Sequence, residues 1–220
     1  MLLCIVQSAK ILGKRRDQNK DPMLKVIRCV VISDEKDITA FRVHLKSHLH
    51  YTDHWILVES ENNIRTNQPF SRPVGKCNIL EVLAPVYWPR FTFLREPIAN
   101  VQLPLIERAY GLLELFEKPI LNLPDSFEYI VVVSSVTEMM ESRTILRIMS
   151  KTTQVPICVY HNVVNNDCKT EEFREGARIF NSKVLKAHPM TWIYNTTTCQ
   201  TIQDGYMYLG RATQYLCEEK

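Results

Sequence analysis

Apolar residues fall into short runs along the chain, and the runs switch between two periods. Residues 24–32, with VIRCVVI at the centre, form an apolar stretch rich in β-branched side chains that predicts a first strand. Ser33, Asp34, Glu35 and Asp37 follow at its carboxyl end. Ile38, Phe41, Leu45 and Leu49 then recur at helical spacing, predicting a helix over 37–50 capped by Asp34 or Ser33. Residues 55–58 predict a second strand that ends in Glu59 and Ser60, and 62–75 read as a loop rich in Asn, Arg, Pro and Gly. A third strand is expected over 78–86. Residues 89–97 then lead to a helix over 103–116, with Pro104 in its first turn and Leu105, Ala109, Leu112 and Leu113 as its buried stripe. Tyr129 to Val133 is an unbroken apolar run that fits a strand buried on both faces. A short helix over 141–149 and a fifth strand over 155–164 come next. Residues 173–185 fit neither period clearly, while 190–194 and 206–209 look like short strand pieces.

This alternation implies βαβ units, hence an α/β fold with a mainly parallel sheet flanked by helices. Residues 17–22 are polar and read as a linker, which divides a 1–23 extension from a single domain over 24–220. In open α/β sheets, ligands bind beyond the carboxyl ends of strands. The polar residues at those ends are therefore the candidate site: Asp34, Glu35 and Asp37 after the first strand, Glu59 and Ser60 after the second, and Ser134, Ser135, Thr137 and Glu138 after the Tyr129–Val133 run. Taken singly, each acid also fits an ordinary helix cap or turn.

Composition narrows the classes. A chain of 220 residues, 45% hydrophobic and 23% charged, suits one well-buried core. A net charge of +3 does not supply the concentrated basic face that nucleic acid requires, so no nucleic-acid partner is expected. No apolar stretch is long enough to span a bilayer, so no transmembrane segment is expected. At the N-terminus the charges follow the apolar residues, the reverse of a secretory signal, so a cytoplasmic setting is expected. The odd number of cysteines, seven without a CxxC pair, reads as buried free thiols in a reducing compartment. Asn195-Thr196-Thr197 is a glycosylation sequon that matters only in a secreted chain. His44, His48, His50 and His54 lack the partners of a zinc set and read as an exposed helix end. No GxGxxG, GxxxxGK[ST] or GxSxG motif is present.

Several segments together resemble glycosyltransferase family 17, the bisecting N-acetylglucosaminyltransferase family. DEKDITAFRV resembles its NELDxLExRL opening, with Glu35, Asp37 and Arg42 in register. TDHWILVES resembles VDxFVIVES, with Asp53, Val58, Glu59 and Ser60 matching. RTNQP, containing Arg65, sits where the family has T-G-K-P, and Arg95, Glu96 and Gln102 sit where it has RExxQR. YIVVVSSVTEM resembles IVIISDVDEIP; Ser134, Val136 and Glu138 match, while Ser135 and Thr137 stand where the family has aspartates. DGYMYLG is similar to GWHxSY, with Gly205 kept and Met207 in place of the histidine.

The resemblance implies a GT-A-like, Rossmann-like domain that binds a nucleotide sugar of the UDP-N-acetylglucosamine type. It implies possible transfer of the sugar to a glycan or other hydroxyl acceptor, on a glycan or protein. On that reading Glu138 or Glu59 is the catalytic base. Asp34, Glu35, Asp37, Arg42, Ser60, Arg65, Ser134, Ser135 and Thr137 surround the donor, and Arg42 and Arg65 neutralise the leaving diphosphate. No metal ligand is assigned. Neutral Ser135 and Thr137 hold a hard cation poorly, so Mn²⁺ or Mg²⁺ would need carboxylates converging from other strands. The alternative is a catalytically inactive homologue serving as a binding or interaction module.

Overall fold

The computed structural model of the protein describes residues 25–34, 37–70, 76, 79, 83–97, 102–124, 127–140, 155–165, 170–195 and 198–208. Eight strands make one sheet: β1 (Lys25–Ile32), β2 (His54–Ser60), β3 (Phe91–Glu96), β4 (Tyr129–Ser135), β5 (Glu138–Met139), β6 (Ile157–Val164), β7 (Thr170–Asn181) and β8 (Gln200–Tyr208). Their spatial order is β3-β2-β1-β4-β7-β6-β8-β5. β1 lies between β2 and β4 and runs parallel to both, with Ile27 opposite His54 on one side and Val131 on the other. The first, second and Tyr129–Val133 runs are thus neighbouring parallel strands, as their apolar pattern requires.

The sheet is mixed, with four of its seven pairings parallel. β4–β7, β7–β6 and β8–β5 are antiparallel, while β6–β8 returns to parallel. The cause is partly connection length: only a few residues separate β6 from β7, and a parallel pairing needs a crossover of about a dozen or more.

Side chains alternate across the parallel strands, and each face has its own cover. Val30, Ile32, Trp55 and Leu57 pack against Phe41 and Leu45 of α1 (Asp37–His48). On the opposite face Ile27, Cys29, Val131 and Val133 join one cluster with Leu112 of α2 (Leu105–Glu114) and Ile120 of α3 (Glu117–Leu121). The same cluster takes in Val184 of α4 (Ser182–Ala187) and Ile193 of α5 (Met190–Asn195). The result is a sheet flanked by helices on both faces. No described helix is long and apolar enough to cross a membrane.

Several expectations need correction. The strand expected over 78–86 is not one: Ile79 is helical, the Leu83 N–H donates to the Ile79 carbonyl at 2.9 Å, and a 3₁₀ helix follows over Pro85–Arg90. Ile79, Leu83 and Val86 also suit helical spacing, and Pro85 and Pro89 disfavour a central strand. The strand comes later, at β3, inside what reads as a connector. Leu105 opens α2 exposed rather than on the buried stripe, whereas Leu112 is buried. Residues 190–194 form helix α5, not a strand piece; Met190 and Ile193, three apart, are its buried positions. The 173–185 stretch resolves into the end of β7 followed by α4, where the Asn181 side chain accepts a 2.9 Å hydrogen bond from the Lys183 N–H. His44 and His48 are buried, not an exposed helix end. Cys158 and Cys199 are joined in a disulfide, so the reading of free thiols throughout fails; Cys29 is a buried free thiol. The 1–23 extension and the 141–149 helix lie outside the described residues.

Candidate functional site

The strand order reverses direction at β1. From β1 the chain steps outward to β2 and β3, then returns to place β4 on the other side. The two crossovers leave from this point in opposite directions, which opens a crevice at the carboxyl ends of β1 and β4. A cavity of about 250 Å³ occupies that position. Val31 and Ser33 line it from β1 and its end, and Val133, Ser134 and Ser135 from β4. Asp37 of α1, Ile64, Leu112 and Leu113 of α2, Glu138, Gly176 of β7 and Tyr194 of α5 complete most of the wall.

Local geometry explains how each polar group arrives there. The Asp37 carboxylate reaches back from the first turn of α1 and accepts from the Asp34 N–H at 3.0 Å and the Ser33 N–H at 3.3 Å. That fixes the β1–α1 turn. The Ser33 carbonyl in turn accepts from the Ile64 N–H at 3.0 Å, and Arg108 Nη1 donates to the Ile64 carbonyl at 2.6 Å, which ties the loop after β2 to α2. After Ser135 the chain turns through Val136 and Thr137 before β5 begins. Along an uninterrupted strand, Ser135 and Glu138 would face opposite ways. The turn brings both to one cavity.

Glu138 is held in a crowded setting. Across β5 and β8 it pairs with Met207, and its carboxylate lies 3.6 Å from Nε2 of buried His161. All three crowd over Gly176. A Cβ there would stand 2.6 Å from His161 Cδ2, 2.6 Å from Met207 Cε and 2.9 Å from Glu138 Cδ. Only a residue without a side chain lets these groups close over the β7 backbone. Gly176→Ala is expected to lower stability by about 1–3 kcal/mol through overpacking, read as a shift in the urea midpoint; an unchanged midpoint would show that the crowding is relieved at no cost.

Beneath the strand ends lies buried charge. Arg28 of β1 is fully buried on the α1 face, with Nη1 3.4 Å from Ser134 Oγ. Burial brings its pKa down to about 9, against the opposing attraction of Glu138. His44 and His48 of α1 are buried in the same region. Burial first, and then the Arg28 charge among others, hold His48 down to about 3 and His44 well below the ordinary imidazole value. Over the cavity, Tyr194 packs with the Arg178 guanidinium 5.6 Å from its ring centroid. Burial, then the charge of Glu138, pushes the Tyr194 hydroxyl pKa well up.

The residues singled out from sequence divide clearly. Asp37, Ser134, Ser135 and Glu138 meet at the cavity. Thr137 stands beside it, its Oγ1 3.1 Å from Ser135 Oγ. Asp34 shapes the turn below Asp37. Glu59 is buried at the end of β2, with Arg95 Nε 3.6 Å from Oε1, and is not part of the wall. Ser60 donates to the Asn62 carbonyl and serves the turn after β2. Arg42 and Arg65 are exposed and do not line the cavity. Glu35 lies outside the described residues. Reasoning from sequence missed Gly176, His161, Tyr194 and Arg28. Arg28 carried the one available signal: a lone cation inside an otherwise apolar strand run.

The Ser135 and Thr137 pair does not suit a divalent cation. Ser135 and Thr137 are neutral and hydrogen-bonded to each other, and no group of three or more His, Cys, Asp or Glu residues able to hold a metal occurs among the described residues.

No protein-family model matches the sequence, and no curated protein matches it. Among solved structures, the chain is similar to the inositol-1-phosphate CTP transferase from T. maritima at 8% identity, covering 87% of each chain with a TM-score of 0.46. It is also similar to the galactosyltransferase LgtC in complex with donor and acceptor sugar analogs, at 10% identity and a TM-score of 0.41, over 84% of this chain and 73% of that one. An active-site mutant of LgtC aligns at 11% identity over 89% of this chain and 78% of that one, with a TM-score of 0.41. Likenesses this distant carry no functional argument.

Proposed function

We propose that the protein is a glycosyltransferase-like protein of the GT-A type, formed as one domain over residues 24–220, whose switch-point cavity takes a nucleotide sugar. The observation that supports this most is the lining itself. Ser33 and Ser135 offer hydroxyls, and Asp37 and Glu138 offer carboxylates, at the one sheet edge where α/β folds place such ligands. Hydroxyls and carboxylates in a half-apolar wall suit a polyhydroxylated ligand. The donor assigned here is of the UDP-N-acetylglucosamine type, as the resemblance of the strand-end motifs implies. Glu138 is the acid placed to accept a proton from an acceptor hydroxyl on a glycan or protein; Glu59, set outside the wall, is not.

One observation favours the second reading, a binding module without transfer activity. No lysine or arginine lines the cavity among the described residues, and the Ser135–Thr137 pair offers a metal no anionic ligand. A leaving diphosphate therefore lacks an evident counter-charge. The Cys158–Cys199 disulfide also favours an oxidising compartment over the cytoplasm.

Calorimetric titration tests both readings. UDP-N-acetylglucosamine is expected to bind without a divalent cation, and Mn²⁺ alone is expected not to bind in the micromolar range. Absence of nucleotide-sugar binding with and without Mn²⁺ sinks the proposal. Tight binding of Mn²⁺ alone, abolished by Glu138→Ala, would instead establish a metal-dependent site. Release of free or transferred sugar separates an enzyme from a silent module.

A further inference from the structure

We infer that His161 is a positioning residue that leaves Glu138 Oε2 without a donor among the described residues, so that the cavity selects a ligand hydroxyl at that point. The inference rests on the nucleotide-sugar reading and narrows it to a defined contact.

The hydrogen bonds of His161 fix its tautomer. Nδ1 lies 2.6 Å from the Asp204 carbonyl oxygen, which can only accept, so Nδ1 carries a proton. Nε2 receives the Ala177 backbone N–H at 3.4 Å, and a backbone N–H can only donate, so Nε2 presents its lone pair. The ring is fully buried and cannot exchange these partners for water without moving β6 against β7 and β8.

The consequence falls on Glu138. Its Oε2 faces Nε2 at 3.6 Å, a lone pair opposite a lone pair and beyond hydrogen-bond length. Oε2 is buried and has no hydrogen-bond partner among the described residues. The buried Arg28 guanidinium feels the attraction of Glu138 through space. Gly176 brings no side chain into the space beside the carboxyl carbon. A buried acceptor with no donor is costly unless something supplies one. Glu138 lines the cavity, so a ligand can. The ligand group must be an O–H or N–H donor. A phosphate oxygen or a carbonyl would face another acceptor. On a nucleotide sugar this excludes the diphosphate from the Glu138 end of the cavity; of the remaining donors, the ribose hydroxyls, the uracil N–H and the transferred sugar, the inference assigns the transferred sugar.

Two measurements on the full chain test this. Long-range ¹H–¹⁵N NMR of the His161 ring is expected to show the proton on Nδ1; a proton on Nε2 would satisfy Glu138 internally and overturn the inference without touching the nucleotide-sugar reading. Calorimetry then compares UDP, UDP-N-acetylglucosamine and free N-acetylglucosamine on the wild type and on Glu138→Gln, with unfolding curves verifying that the variant folds. The variant is expected to lose about tenfold or more for UDP-N-acetylglucosamine, the worth of one hydrogen bond to a charged group, while UDP affinity stays unchanged. Equal losses for UDP and the nucleotide sugar overturn the inference alone. Glu138-dependent binding of the free sugar without any nucleotide binding supports the inference and overturns the nucleotide part of the function. Binding of none of the three overturns both.

Discussion

Cys199→Ser is expected to cost about 4 kcal/mol of unfolding free energy, the loop-closure entropy released when a cross-link spanning some forty residues is lost. The Cys158–Cys199 bridge spans a sequence separation of 41 and ties the start of β8 to the start of β6. Next to it, Ile157 pairs with Gln200 and Cys158 with Thr201, in a parallel ladder that local turns cannot impose. The loss should concentrate where β8 is the only support. Among the described strands β5 joins the sheet through β8 alone, so Glu138 hangs on that strand. Urea unfolding of the variant, or of the reduced wild type, measures the total. Amide exchange should show β8 and β5 opening while β1 and β2 keep their protection. A change under about 1 kcal/mol would mean that the unfolded chain is not constrained by this bridge.

The second large effect is acid sensitivity set inside α1. His48 Nδ1 donates to the His44 carbonyl at 2.8 Å, and its Nε2 accepts from the Met140 N–H at 3.3 Å, so the folded ring is neutral at both positions. Burial and the nearby Arg28 charge hold His48 down to about 3, and burial with His48 and Arg28 holds His44 well below its usual value. Both folded values lie below the unfolded one, so on acidification the unfolded chain takes up protons before the fold does. The stability is fully present above the ordinary imidazole pKa and is lost as pH falls toward the folded values. At pH 5, about 1.5 units below the unfolded pKa, each ring should cost about 2 kcal/mol. Urea midpoints at pH 7 and 5 give the slope, and His48→Gln should remove roughly half of it. A flat profile over that interval would show that the rings titrate in the fold as freely as in the open chain.

The sequence made the parallel half of the sheet legible and the other half much less so. Residues 26–32, 55–58 and 129–133 are buried on both faces, and such strands print their burial directly as apolar runs. Residues 190–194 and 78–86 misled because short apolar runs do not separate helix from strand. The candidate site was legible where a residue follows directly on a strand, as with Ser134 and Ser135. Glu138 was legible by position, but its direction depends on the turn at Val136 and Thr137. His161 and Gly176 could not be found from spacing. They reach Glu138 from strands on the far side of β4, through antiparallel pairings that no local pattern announces. Arg42 and Arg65 look like diphosphate partners in one dimension, yet the helix face of one and the turn around the other point them to solvent.

The order of strands also bears on how the molecule is assembled. β6 and β7 are neighbours in sequence and in the sheet, so their ladder closes a short loop. The β1–β4 ladder joins residues as distant as Lys25 and Tyr129. Loop-closure entropy grows with that separation, and contacts between distant residues slow the search for the native state. The crevice lies at the end of that long-range ladder. The crevice therefore waits on one of the most demanding closures in the chain, and a nascent polypeptide cannot form it before β4 has been made.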